Sequence, residues 1–113
     1  MPTEQEVRDE ISREIHDIYE KSYGKGAGMA EAFVGDGWVI VVLDALGLLP
    51  NEEFLVGKGK QDTVAHVRTL YQHAIQAPLR AAVERATGRN VTGFASTTNV
   101  DEPRFAVEIF KLD

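Results

Sequence analysis

No cysteine occurs among the 113 residues, which excludes disulfides and thiolate chemistry and fits a reducing compartment without requiring one. Long apolar runs are missing too. The longest, Trp38 to Leu43, falls far short of the roughly 20 residues that a membrane-spanning helix needs. Nor is there an excess of positive charge: eighteen acidic residues against twelve basic ones give a formal charge of −6. That balance opposes a general electrostatic grip on DNA or RNA, which takes clustered Lys and Arg. The opening residues Met1-Pro2-Thr3-Glu4-Gln5-Glu6 are acidic and polar, the opposite of a signal peptide's basic start. The expectation is a soluble cytoplasmic protein with no direct membrane insertion and no nucleic-acid partner.

What is present is an ordinary globular composition, 43% hydrophobic and 27% charged. At this length it suffices for a single domain, residues 1–113, with a core of its own. From about Thr3 to Tyr23, Val7, Ile11, Ile15, Ile18 and Tyr19 form one apolar stripe at helical spacing. Thr3 and Glu6 make a capping box at its start, and Gly24 supplies its stop. Met29 to Val34, the turn Gly35-Asp36-Gly37, and Trp38 to Leu43 read as a β-hairpin. The second of these strands is apolar on both faces, so both are expected to be covered, one by helices and the other by further protein such as a second copy.

Pro50 to Leu55 reads as a short helical turn, followed by the exposed connector Gly57-Lys58-Gly59-Lys60. A second long helix is expected from about Asp62 to Thr87. Its stripe is Val64, Val67, Tyr71, Ile75, Leu79, Val83 and Ala86, and Pro78 should kink or split it. Two further strands follow, Asn90 to Thr98 and Arg104 to Leu112, around a turn at Asn99 to Pro103. In the last strand Phe105, Val107 and Ile109 face one way, and Ala106, Glu108, Phe110 and Leu112 the other. The fold class is α+β, a two-layer sandwich in the order α-β-β-α-β-β, with a four-stranded, mostly antiparallel sheet and two long helices.

Candidate chemistry is sparse. The run Gly24-Lys25-Gly26-Ala27-Gly28 looks at first like a phosphate loop, but it closes a helix and precedes a strand, the reverse of the order that turns a helix dipole toward an anion. A helix stop with chain reversal is the simpler role; a nest of backbone amides around an anion stays open. Arg68 either holds an anion as well or pairs with a carboxylate on the helix surface, the second being simpler. The candidate ligand-binding set is therefore Gly24, Lys25, Gly26 and Arg68. His66 and His73 stand seven residues apart, about 10 Å along a helix, too far to share a metal ion. His16 beside Asp17 reads as polar flank, and no metal or other cofactor is implied. Ser12, Ser22 and Ser96 lie in no nucleophile context, so no catalytic residue is assigned and a non-enzymatic protein is expected. Glu52 and Glu53 read as helix-dipole partners. Glu108 is expected at an exposed edge; buried, it would have a raised pKa.

The succession of segments resembles one bacterial family. Glu10 to Tyr23 ends in Tyr-Gly-Lys-Gly and is followed by Trp38-Val-Ile-Val-Val-Leu43 and Leu48-Leu-Pro-Asn-Glu-Glu-Phe-Leu55. Then come Val67-Arg68, Thr87-Gly-Arg-Asn-Val91 and Val107-Glu-Ile-Phe-Lys-Leu112. Together these are similar to the MpsC-like, or YbcI-like, family over about Glu6 to Leu112. Ala27 and Leu49 depart from that pattern, standing where the family commonly has proline and threonine. The resemblance implies association with a Na+-translocating, membrane-potential-generating system whose large subunits resemble inorganic-carbon uptake proteins. It carries no catalytic residues. The functional expectation is an accessory or regulatory domain, a homodimer that partners subunits of a membrane transport complex. The alternative is a small-ligand or anion sensor using the Gly24–Gly28 loop.

Overall fold

The computed structural model describes residues 1–113. Helix α1, Glu4–Tyr23, starts at the expected box: Thr3 Oγ1 accepts the Glu6 N–H and Glu6 Oε1 accepts the Thr3 N–H, each at 3.1 Å. It ends at Gly24, whose φ of 54° costs a residue without Cβ nothing. A 3-10 turn, Gly24–Ala27, leads into strands β1, Met29–Gly35, and β2, Trp38–Asp44. Helix α2 is Pro50–Gly57, and the expected second long helix is two helices, α3, Gln61–Ala74, and α4, Gln76–Thr87.

Pro78 explains that division. It has no N–H to offer the Ala74 carbonyl four residues back, and its ring crowds that carbonyl. The chain breaks at Ile75, and Pro78 sits in the first turn of α4, where an N–H has no partner anyway. Strands β3, Val91–Asn99, and β4, Phe105–Leu112, complete the chain. The sheet order is β1-β2-β4-β3 with every neighbouring pair antiparallel. Four helices and a wholly antiparallel four-stranded sheet thus replace two long helices and a mostly antiparallel one.

Helices α1 and α4 pack against one face of the sheet. Ile11, Ile15 and Tyr19 of α1 and Leu79, Ala82 and Val83 of α4 meet Ala32, Val39, Val41, Leu43, Ala106 and Phe110 in one core. The outer strands are clamped by side chains. Ala32 of β1 gives its N–H to Ser12 Oγ (2.9 Å) and receives Arg8 Nε at its carbonyl (2.9 Å). At the start of β3, Glu84 accepts the Val91 N–H and Arg80 donates to the Val91 carbonyl. Edge groups that would otherwise invite another strand are partly occupied in this way.

Helix α3 keeps Val64 of its expected stripe buried and Tyr71 packed against the core, but departs from it at Val67. Val64, Arg68 and Gln72 are its buried residues, while Val67 and Leu70 are each 55% exposed. An apolar stripe was expected to settle the matter; polar contacts beneath the helix decide it instead.

Candidate functional site

The glycine run and Arg68 meet at one corner. Gly26 and Gly47 pack backbone to backbone, the Gly47 N–H donating to the Gly26 carbonyl at 3.2 Å. A Cβ on Gly26 would lie 3.1 Å from the Gly47 oxygen, a tight contact that a small shift of the backbone would have to relieve. Arg68 Nη2 donates to the Gly47 carbonyl at 2.8 Å, and its guanidinium carbon stands 4.3 Å from the centre of the Tyr23 ring. Of the expected set, Gly26 and Arg68 therefore share this corner, while Gly24 is exposed with open space where a Cβ would stand. Lys25 is exposed and its side chain makes no hydrogen bond or ion pair.

Arg68 is 3% exposed, not on the helix surface as expected. Its charge is met by Glu52 of α2 in a two-pronged pair, Nε to Oε2 at 2.7 Å and Nη2 to Oε1 at 2.6 Å. Glu52 Oε1 also accepts the Leu49 N–H at 2.8 Å, the capping role expected for a helix-start acid. Leu49 itself offers no side-chain acceptor to the turn. Burial would raise the Glu52 carboxyl, but the Arg68 hydrogen bonds, the Leu49 N–H and the Arg68 charge outweigh it and hold the pKa below the usual value. An external anion reaching Arg68 would have to displace this carboxylate.

Beside the corner is an internal polar chamber. Glu108 is wholly buried on β4, facing the helices rather than an edge. The Tyr19 hydroxyl donates to its Oε2, while Oε1 has no partner. Directly across on β3, Ser96 Oγ also lacks a partner. Gln72 donates to Thr98 Oγ1 at 3.1 Å and leaves its own Oε1 unmatched. Burial pushes the Glu108 carboxyl up to about 7, with the Tyr19 hydrogen bond pulling the other way. Burial likewise raises the Tyr19 hydroxyl, and the neighbouring Glu108 adds to that rise. The adjoining cavity, bordered by Tyr19, Tyr23, Arg68 and Gln72, measures about 10 Å³, the room of a single water. No histidine lines it.

The opposite face of the sheet has no cover. Phe33 is 43% exposed, Trp38 46% and Ile40 38%, and Val42, Val107 and Ile109 beside them are half-buried. The register places Phe33, Ile40, Ile109 and Ala95 in one row across the strands, and Glu31, Val42, Val107 and Thr97 in the next. A contiguous apolar face of this kind on a small domain marks a contact surface. The both-face apolarity of β2 thus has one face filled by α1 and α4 and the other open within this chain.

Tyr19 enters the sequence pattern only as part of the α1 stripe and Tyr23 only as the helix end, while Gln72 belongs to no apolar stripe, so the polar lining they form emerges in the structure. Spacing held the signal: Tyr19 and Tyr23, like Arg68 and Gln72, stand four residues apart and so share a helix face. His16 and Asp17, expected as polar flank, have Glu20 beside them. His16, Asp17 and Glu20 bring ligand atoms within 4.8 Å of one another on the outer side of α1, and His16 with Glu20 is a four-residue pair. They lie on an open helix surface with nothing else converging on them.

Residues 3–113 match the family described as MpsC, Na+-translocating membrane potential-generating system. No curated protein and no solved structure gives a match. No helix of the chain is long and apolar enough to cross a membrane.

Proposed function

This chain belongs to the MpsC family, and on that premise we propose that it is a non-enzymatic, cytoplasmic accessory or regulatory domain that works through protein contact at the open face of its sheet. The single observation carrying this reading is the uncovered row Phe33, Ile40, Ile109 and its neighbours, a cost in exposed apolar surface that a free-standing domain has no reason to keep. The family's link to a Na+-translocating system makes subunits of such a system the natural partners, reached by docking rather than insertion. The interior supports the non-catalytic part of the reading: the cavity bordered by Tyr19 and Arg68, about 10 Å³, has room for no more than a single water.

Co-expression with the membrane subunits of that system in the native organism tests the proposal. The wild type is expected to co-purify with them, and Ile40→Asp, which puts a charge in the middle of the face, to be lost. Retention of Ile40→Asp at the wild-type level overturns the role of this face; failure of the wild type to co-purify overturns the accessory role.

The ligand-sensing alternative draws on one observation, that Gly26 and Arg68 both bond Gly47. It is the weaker reading because Glu52 already answers the Arg68 charge. Thermal shift with bicarbonate and phosphate, on wild type and Lys25→Ala, decides it: equal shifts for both proteins remove the alternative.

A further inference from the structure

The open sheet face has a pattern of charge that fits itself. Its rows, taken along the strands, begin with Met29, Asp44 and Phe105, continue through Glu31, Val42 and Val107, then Phe33, Ile40 and Ile109, and end at Trp38 and Lys111. Both acids fall in the first two rows. The last two rows carry aromatic rings topped by cations: Arg8, arriving from α1, lies 5.1 Å from the centre of the Phe33 ring, and Lys111 Nζ lies 5.0 Å from that of Trp38. Between the end rows only Glu31 and Thr97 are not apolar.

We propose that the occupant of this face is a second copy of the chain, stacked sheet on sheet about a two-fold axis that lies in the interface and runs across the strands. The inference rests on the reading of this face as a docking surface and names its direct partner as a second copy; the membrane subunits then meet the assembled dimer, and Ile40→Asp loses them by dissolving it. Rotation about that axis lays β2 on β2 with directions reversed. Asp44 of each copy then comes over Trp38 and Lys111 of the other, and Glu31 of each, which its own Arg8 meets at 3.9 Å, over the other's Phe33. An isologous contact requires such self-complementarity, whereas a surface shaped for an unrelated partner does not. The other in-plane axis, parallel to the strands, would bring acidic end to acidic end and is disfavoured by like-charge repulsion. The chain's charge of −6 is no obstacle, because the face itself carries only Glu31, Asp44 and Lys111, with Arg8 at its margin. Facing sheets pack about 10 Å apart, a separation that long side chains such as Lys111 span.

Sedimentation equilibrium over a wide concentration range, with circular dichroism to confirm folding, tests the arrangement. The wild type is expected to be a dimer. Lys111→Glu and Asp44→Lys each set like charges opposite one another and should raise the dissociation constant about tenfold or more at low salt. The double variant Asp44→Lys, Lys111→Glu exchanges both ends together and should return to within about threefold of wild type. Arg8→Glu should weaken the dimer as well.

A wild type that stays monomeric at millimolar concentration overturns the proposal. So does a double variant no tighter than the two singles, since that result denies the pairing of the two ends. Either failure leaves the broader reading separately answerable, because a monomer that still loses its membrane partners on Ile40→Asp keeps the face as a docking surface for another protein. Binding of the monomer to anionic lipid vesicles through Trp38 would count against a second copy.

Discussion

The two faces of the sheet are made by alternate residues of the same four strands, and they have opposite fates. On β2, Val39, Val41 and Leu43 are sealed under the helices while Trp38 and Ile40 stand open. On β4 the contrast runs against polarity: the purely apolar set Phe105, Val107 and Ile109 lies on the open side, and the set that includes Glu108 is buried. Burial in this molecule therefore follows where the helices land, and the apolar face they do not reach stays open. Each face also has a characteristic way of handling charge. The inner one removes it from water with a specific partner; the outer one keeps it at the margins of an apolar field.

Substitutions that ought to act on one face alone can break this comparison. The largest effect is expected from Phe110→Ala in the core, a loss of about 3–5 kcal/mol in urea unfolding. A loss under 1 kcal/mol would mean the inner face is not the tightly packed one. Next is Arg68→Met, which leaves Glu52 buried without its cation and should cost about 3 kcal/mol at neutral pH. The Glu52 carboxyl is held below its usual value, so its contribution is present above the unfolded pKa and fades as pH falls through the folded one. The penalty of Arg68→Met should therefore shrink in acid; a pH-independent penalty would point to lost packing instead.

Glu108 gives the opposite sign. Its folded pKa is raised from 4.5 to about 7, so the folded state holds a proton that the unfolded chain has released. Stability from this group is complete below 4.5 and drains away as pH rises to 7, by roughly 3 kcal/mol at about 1.4 kcal/mol per pH unit. Glu108→Gln should flatten stability over that window and exceed the wild type at pH 8. A wild type that gains stability between pH 5 and 7, by the same amount as the variant, contradicts the assignment. The smallest effect is expected on the open face: Ile40→Thr should change monomer stability by less than about 1 kcal/mol. Its consequence should appear in association, as loss of the concentration dependence of Tm that a dimer confers. If Ile40→Thr and Phe110→Ala cost the same in dilute solution, the distinction between the faces fails.

Local periodicity made a good part of the fold readable. The α1 stripe and its Thr3–Glu6 box, the hairpin around Asp36-Gly37, the helical start at Pro50 and the alternation of β4 all appear where spacing places them. Of the candidate set, Gly26 and Arg68 are both brought onto Gly47, while Gly24 and Lys25 stay exposed. What escaped was the identity of Arg68's partner, sixteen residues away on another helix, and the burial of Glu108, whose cover comes from Tyr19 eighty-nine residues away in the chain. Helix α3 is the sharpest case. Val67 and Leu70 look like core by composition, yet Arg68 and Gln72 are turned inward because Glu52, Gly47 and Thr98 wait there with matching polar groups.

By itself the sequence determined the elements, their order and the family, because caps, breakers and periods of two and 3.6 act between residues close in the chain. It also determined that the two faces of β2 would both be apolar. Tertiary structure alone decided which face the helices take, how α3 is rotated, and that two buried carboxylates, Glu52 and Glu108, are pushed in opposite directions. Those outcomes depend on partners brought together from distant parts of the chain, and burial makes each partner, or its absence, count heavily.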